Sequence, residues 1–262
     1  MIDLYYYTSP NVRKVLIALE ELGLPYEIKW TDISAGEQFD PQYLAINPNG
    51  KVPAIVDHDG PGGRPIALFE SAAILLYLAE KTGKLLPADP DRRWEAICWT
   101  IWQVANHGPM AGQAAHFVSH APKHDINDAY ATGRYLGEVR RLYEVMDVRL
   151  QRDDYLAGEF SVADIACFPW TRVAAGHGVD IKADFPHVAA WMGRISQRPS
   201  AKVRIEDPRE DKARKSDYTD EQFRTLFRPA LDTVATPTSR CCESDDDRSP
   251  PHQRRHLPNE HE

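Results

Sequence analysis

What the sequence lacks narrows it first. Only four of its 262 residues are cysteine, and no two of them form a Cys-x-x-Cys pair, which removes the dithiol redox motif and the usual zinc knuckles. Cys98 and Cys167 sit inside apolar helical patterns and read as inert core thiols, while Cys241 and Cys242 are neighbours in a polar tail. No apolar run approaches the roughly 20 residues that span a bilayer. The start, MIDLYYY, has neither the basic residues nor the small-residue cleavage site of a secretory signal, so the expectation is a cytoplasmic protein. Basic residues are scattered and the formal net charge is -8, which argues against nucleic acid or an anionic membrane as a partner.

What is present divides the chain in three. Over residues 1–86 strand and helix patterns alternate. Ile2 to Tyr7 reads as a strand; Val12, Val15, Leu16, Leu19 and Leu22 recur at helical spacing until Gly23 supplies a stop. Tyr26 to Trp30 is a second strand, and a short helix lies around Gln42 to Ile46. VPAIVD and PIALF are strands joined by the turn HDGPGGR, hence an antiparallel pair, and ESAAILLYLAEKTG closes a β-α-β-α-β-β-α order. Residues 91–205 carry only helical patterns. There, SVADIACFPW predicts a capping box of Ser161 with Asp164 and a hydrophobic staple of Phe160 with Ile165, a structural device worth roughly 1 kcal/mol. Gly108 and Pro109 interrupt a long helical pattern and predict a kink. Residues 206–262 turn polar: TDEQFRTLF can form a turn or two of amphipathic helix docked on the body, and the composition after about residue 235 predicts disorder.

Chemistry-bearing residues collect in the first part. The turn YTSPNVRK, residues 7–14, stands between the first strand and first helix, where a thioredoxin-like fold usually carries its cysteines, and it has none. Glu70 and Ser71 open the last helix of this part: free N–H groups suit a carboxylate, Ser71 adds a hydroxyl, and Glu70 offers a charge to an ammonium. Alone, such a pair is also an ordinary cap, and Gln38 and Lys51, as isolated residues, read as solvated surface. Alternation sends Tyr6 to the face opposite Tyr5 and Tyr7. His116, His120 and His124 recur every four residues, but Pro122 breaks that face and no carboxylate or cysteine completes a metal set, so they are read as surface or cleft-lining groups.

With NGKVPAIVDHDG, LFESAAILLYLAEKTGKLLP and SVADIACFPW, residues 1 to about 205 resemble the cytosolic glutathione transferases. MIDLYYYTSPN, GEQFDPQYLAINPNGKVPAIVDH and GPMAGQAAHF are similar to the Nu class, whose bacterial members are glutathione-dependent disulfide-bond oxidoreductases. The resemblance implies a thioredoxin-like α/β N-terminal domain with a mixed sheet, followed by an all-α domain. It implies a cis bond between Val52 and Pro53, with the Val52 backbone pairing with the cysteinyl part of glutathione. The γ-glutamyl head then lies at Glu70 and Ser71, with Gln38 and Lys51 on the other polar groups. The sulfur sits over the start of the first helix beside Thr8, Ser9 and Asn11, so the missing thiol is the ligand's own.

A helix N-terminus favours an anion by about 0.3 to 1 kcal/mol and a hydrogen bond to a charged group adds roughly 1.5 to 3. Together they can bring a thiol from about 8.5 to near or below 7. Ser9 and Asn11 are the expected catalytic pair, with Tyr7 as an alternative donor; Ser9 stands where this class usually has threonine. The resemblance further implies glutathione as co-substrate, no metal, and a two-fold homodimer in which Arg134 reaches the neighbour's glutathione carboxylate. Large apolar groups at Trp94, Ile97, Cys98, Ile101 and Trp102, and at Tyr135, Leu136, Leu142 and Tyr143, give weaker support for the dimer. The expected activity is disulfide reduction, with conjugation of glutathione to carbon electrophiles or a non-catalytic binding module as alternatives.

Overall fold

The computed structural model describes residues 1–206 and 218–227; the expectation for the tail beyond about residue 235, and Cys241 and Cys242, lie outside the described residues. Strands β1 (Ile2–Tyr6), β2 (Tyr26–Trp30), β3 (Ala54–Asp57) and β4 (Ile66–Phe69) form one sheet in the order β2-β1-β3-β4. β1 runs parallel to β2, with Ile2 opposite Tyr26, and antiparallel to β3, with Leu4 opposite Ile55. β3 and β4 form the antiparallel pair that the glycine-rich turn predicts. Along β1 the side chains of Ile2, Leu4 and Tyr6 are buried while Asp3 and Tyr5 are half-buried, the period of two that a one-sided core imposes. Tyr6 meets Trp30 edge-on at 5.0 Å and Tyr5 meets Tyr43 at 5.4 Å, so the neighbouring tyrosines pack against different partners.

Helix α1 (Pro10–Leu22) starts with Ser9 as N-cap and Pro10 in its first turn, and ends at Gly23, whose φ of 64° needs the left-handed freedom of glycine. Val15 to Leu19 are all fully buried. A helix apolar around its whole circumference is one covered on all sides, and α1 packs on α3 (Ser71–Thr82) and on α7 (Val162–Thr171) of the helical half. Glu21 fastens it further, accepting from Arg198 through both carboxylate oxygens at 2.7 and 2.6 Å. α2 (Pro41–Ile46) lies between β2 and β3 in the chain.

The helical half comprises α4 (Pro90–Trp102), α5 (Gly108–Ala115), α6 (Ala129–Leu150), α7, α8 (Ile181–Asp184), α9 (Pro186–Gln197), α10 (Pro199–Lys202) and α11 (Asp220–Phe227). Among the described residues no helix is long and apolar enough to cross a membrane. The interruption expected at Gly108 and Pro109 takes the form of a π-helical turn, Gln103–His107, immediately before Gly108, and a second one, His116–His120, follows α5. The capping box at α7 is present: Ser161 Oγ accepts from Ala163 N and Asp164 accepts from Ser161 N. Asp164 also accepts from Trp191 Nε1 at 2.8 Å, and its complete burial raises its pKa to about 6 despite these donors. Phe160 packs on Tyr155, with the Arg198 guanidinium 3.8 Å from its ring centroid.

Two expectations need correction. Cys98 is exposed, on the same side of α4 as Trp94 and Ile101, which are also exposed; of these two thiols, Cys167 is the one in the core. Leu142 and Tyr143 are wholly buried within this chain, so that part of α6 belongs to the core and not to an interface.

Candidate active site

The chain leaves the interior strand β1 at its C-terminal end, and the turn at residues 7–9 redirects it into α1. Ser9 is extended (φ -151°, ψ 155°) and its Oγ accepts from Val12 N at 3.3 Å, so one lone pair caps the helix while the hydroxyl proton stays available. Asn11 stands in the first turn, half-buried. Its Oδ1 accepts from Trp170 Nε1 at 2.9 Å, across 159 residues of sequence. An indole N–H can only donate, so the carbonyl side of the carboxamide faces Trp170 and the NH2 side faces the other way. Trp170 is itself seated by glycine: a Cβ at Gly108 would come within 3.4 Å of its Nε1, and one at Gly112 within 3.4 Å of its ring.

The expected γ-glutamyl and backbone contacts gather at the neighbouring strand and helix ends. The Val52-Pro53 peptide bond is cis. The Lys51 carbonyl just before it accepts from Tyr43 Oη at 2.6 Å and Asn47 Nδ2 at 2.5 Å, which fixes this corner from behind. Among the described residues the Val52 backbone has no hydrogen-bond partner. Glu70 has φ 67° and ψ 112°, an uncommon conformation for a side chain-bearing residue, and its carboxylate does not cap α3. The first N–H groups of α3 therefore face outward without a side-chain acceptor. Ser71 is buried, and its Oγ accepts from Lys14 Nζ at 3.2 Å. Gln38 is a buried residue and not solvated surface: its Nε2 donates to the Ile33 carbonyl at 3.1 Å, and its Oε1 has no partner among the described residues. Lys51 is exposed. Arg134 lies on α6, exposed and paired with Glu138 at 3.4 Å within that helix.

One wall of this region comes from the second π-helical turn and α11. His116 stacks on Phe223, with centroids 5.7 Å apart, and His124 stacks on it at 4.1 Å, while His120 packs on Phe227 and Tyr218. His124 Nδ1 also meets Asp220 at 2.8 Å. Burial lowers the pKa of His116 and, with help from neighbouring cationic groups, that of His120. Burial, with Tyr7 nearby, raises that of Tyr218. On the far side, a Cβ at Gly36 would lie 3.7 Å from Thr225 Cγ2, so α11 reaches the loop that carries Gln38. The histidines that sequence spacing made tempting as ligands thus serve as a seat for an aromatic helix. Among the described residues no group of three His, Cys, Asp or Glu is arranged to hold a metal ion.

Residues 8–81 match the family model for the glutathione S-transferase N-terminal domain and residues 112–199 that for its C-terminal domain. Disulfide-bond oxidoreductase YfcG of Escherichia coli is 45% identical over 218 residues, covering 80% of this chain and 100% of the relative. The chain belongs to the glutathione S-transferase family. Two solved transferases support the same placement. One from Burkholderia graminis, with two glutathione molecules bound per subunit, is 43% identical with a TM-score of 0.72, covering 76% of this chain and 85% of its own. One from Pseudomonas putida, with one glutathione disulfide bound per subunit, is 40% identical with a TM-score of 0.73, covering 76% and 88%.

For a transferase-family chain, the structure brings Ser9, Asn11, Val52, Pro53, Glu70 and Ser71 to the adjoining ends of β1, α1, β3 and α3, and leaves Arg134 apart on α6. Sequence reasoning missed Trp170 and Lys14. Trp170 closes a motif read only as a cap, and its partner is 159 residues away. For Lys14 a signal existed: VLIAL immediately after it is apolar on every face, so a lysine in the preceding turn has no solvent side to occupy.

Proposed function

We propose that the protein is a glutathione-dependent disulfide-bond reductase whose reactive sulfur belongs to bound glutathione. Residues 1–86 form the glutathione-binding part and residues 91–205 the wall facing the second substrate. Glutathione pairs through its cysteinyl backbone with Val52, and its γ-glutamyl carboxylate takes the Ser71 hydroxyl and the outward N–H groups of α3, with Glu70 on the ammonium. Gln38 and Lys51 serve its remaining polar groups. The thiolate then lies at the N-terminus of α1, against the Ser9 hydroxyl and the Asn11 amide.

The observation that carries this reading is the Trp170 to Asn11 hydrogen bond. It commits the Asn11 carbonyl and leaves the two N–H donors for an anion, without any group that must ionise. The reaction follows thiol-disulfide exchange. The glutathione thiolate attacks one sulfur of a disulfide, a glutathione mixed disulfide forms, and the other sulfur leaves as a thiolate and takes up a proton. A second glutathione thiolate attacks the mixed disulfide, giving glutathione disulfide and the second product thiol. Two thiols are oxidised and one disulfide reduced. Relatives with two glutathione molecules or glutathione disulfide per subunit support a site with room for both partners.

A two-fold homodimer goes with this reading. Exposed Trp94, Cys98 and Ile101 recur at three- and four-residue spacing on α4, which supports an apolar interface there. The exposed Arg134 supplies a fork for the neighbour's glutathione carboxylate. The test is calorimetric titration with reduced and oxidised glutathione, followed by turnover of a small disulfide against an aryl halide. Binding of both forms and faster disulfide turnover are expected. Faster aryl halide turnover would mean a conjugating transferase, and absence of binding would mean a non-catalytic module.

A further inference from the structure

One buried charge has no part in the reaction just described. Lys14 is wholly buried on α1, with Nζ donating to Gln103 Oε1 at 2.5 Å and to Ser71 Oγ at 3.2 Å. Both acceptors are neutral, and among the described residues no carboxylate pairs with it within ion-pair distance. An ammonium out of water is costly unless an anion or several strong acceptors answer it. The titratable groups facing it are Glu70, from the start of α3, and Cys167, from α7, and the field of each favours the cation. Burial raises the Cys167 thiol well above its usual range, so it stays neutral at physiological pH and supplies no counter-charge.

The geometry of Ser71 says where the counter-charge comes from. By accepting from Lys14, Ser71 Oγ commits a lone pair inward, which leaves its single hydroxyl proton to be donated elsewhere. Ser71 is the first residue of α3, so that proton is available beside the N–H groups that Glu70 leaves without a side-chain cap. We infer that Lys14 is a positioning residue for the glutathione carboxylate: it orients the Ser71 hydroxyl and places a positive charge one hydroxyl behind the γ-glutamyl carboxylate. This rests on the glutathione reading above. Gln103 holds the ammonium from the other side, which ties the first π-helical turn to ligand binding.

A consequence follows in protons. Burial, opposed by Cys167 and Glu70, lowers the pKa of Lys14 to about 7 in the free protein. A bound carboxylate favours the cation and raises that value, so binding takes up a proton above about pH 7 and affinity falls as pH rises through it.

The experiment is calorimetry of the full chain with S-methylglutathione, which has no thiol to titrate, at pH 6.5 and 8 in two buffers of different ionisation enthalpy. Wild type should bind about fivefold to tenfold more weakly at pH 8 and take up a large fraction of a proton there. Lys14→Met should lose the lysine's share of that uptake, keeping only that of the ligand's α-ammonium at Glu70, and bind about tenfold more weakly at pH 6.5. Uptake at pH 8 that persists undiminished in Lys14→Met overturns the inference. If that variant does not fold, Lys14→Arg, which keeps the charge and cannot release it, decides: uptake at pH 8 that falls below that of wild type supports the inference, and uptake equal to that of wild type overturns it. Failure of wild type to bind at pH 6.5 removes the glutathione site and this inference together, whereas binding without proton uptake removes the inference alone.

Discussion

Replacing Trp170 by Phe keeps an aromatic side chain there, shrinks its bicycle to one ring, and removes the indole N–H that faces Asn11 Oδ1. With no donor to hold its carbonyl, the Asn11 carboxamide is free to turn, and in the turned state it presents oxygen, not N–H, to the thiolate. The interaction lost is a hydrogen bond to a charged group, roughly 1.5 to 3 kcal/mol. At 1.36 kcal/mol per unit, the bound thiol rises by about one to two pKa units. From a starting value near 7, the thiolate fraction at neutral pH falls about tenfold, and so does turnover. The loss is recovered at alkaline pH, which a merely structural defect would not do. The assay is disulfide reduction against pH at saturating glutathione, read beside the ultraviolet thiolate absorption of the bound ligand. The smaller ring also costs about 1 to 2 kcal/mol of packing, visible as a lower melting temperature. A folded Trp170→Phe protein with the wild-type pH profile and thiolate absorption would refute the reasoning.

Asn11→Ala should lower kcat by about tenfold or more while changing glutathione binding little, since its amide meets a charge that matters most when the sulfur attacks; unchanged kcat in steady-state kinetics would count against it. Cys167→Ser should leave turnover intact and lower the melting temperature, whereas Cys98→Ser, at an exposed site, should change neither in the same two assays. Burial lowers the pKa values of His116 and His120 in the docked state, so undocked α11 leaves imidazoles that protonate more readily. Docking should therefore be full above about pH 6.5 and weaken as pH falls through and below it, seen as declining hydrogen-exchange protection over residues 220–227; constant protection down to pH 5 would contradict this. Ile101→Asp, on the exposed face of α4, should convert a dimer to monomer in light scattering at micromolar concentration, and an unchanged mass would locate the interface elsewhere.

The parts of the fold set by local chemistry were legible in the sequence. The antiparallel turn after β3, Gly23 at the end of α1 and the capping box at α7 each act within a few residues, and each is found where expected. The docked helix over residues 220–227 was legible for the same reason, through its amphipathic spacing. What escaped depended on long-range contact. Periodicity gave Cys98 an apolar setting, but cannot say which side of α4 is covered, and Leu142 and Tyr143 were misassigned by the same ambiguity. The interruption at Gly108 was visible, whereas its π-helical form was not, and neither was the closeness of Trp170, 62 residues on, to that glycine. In the candidate site, Ser9, Glu70 and Ser71 stand at helix starts that sequence marks well. Gln38 looked like surface because its acceptor, the Ile33 carbonyl, is a backbone group with no sequence signature.

The turn before α1 carries no cysteine, and the core thiol of Cys167 on α7 is buried and held neutral. On the function proposed above, the sulfur that reacts in the site belongs to bound glutathione and is not part of the polypeptide. A protein cysteine driven to sulfinic or sulfonic acid is retired with its enzyme. Here a sulfur oxidised too far would sit on a tripeptide that dissociates and is replaced, so harsh oxidant consumes ligand while the catalyst persists. On that reading the chain is a mould recast at every turnover, and its working life is set by how long its fold lasts and not by the fate of its most reactive atom.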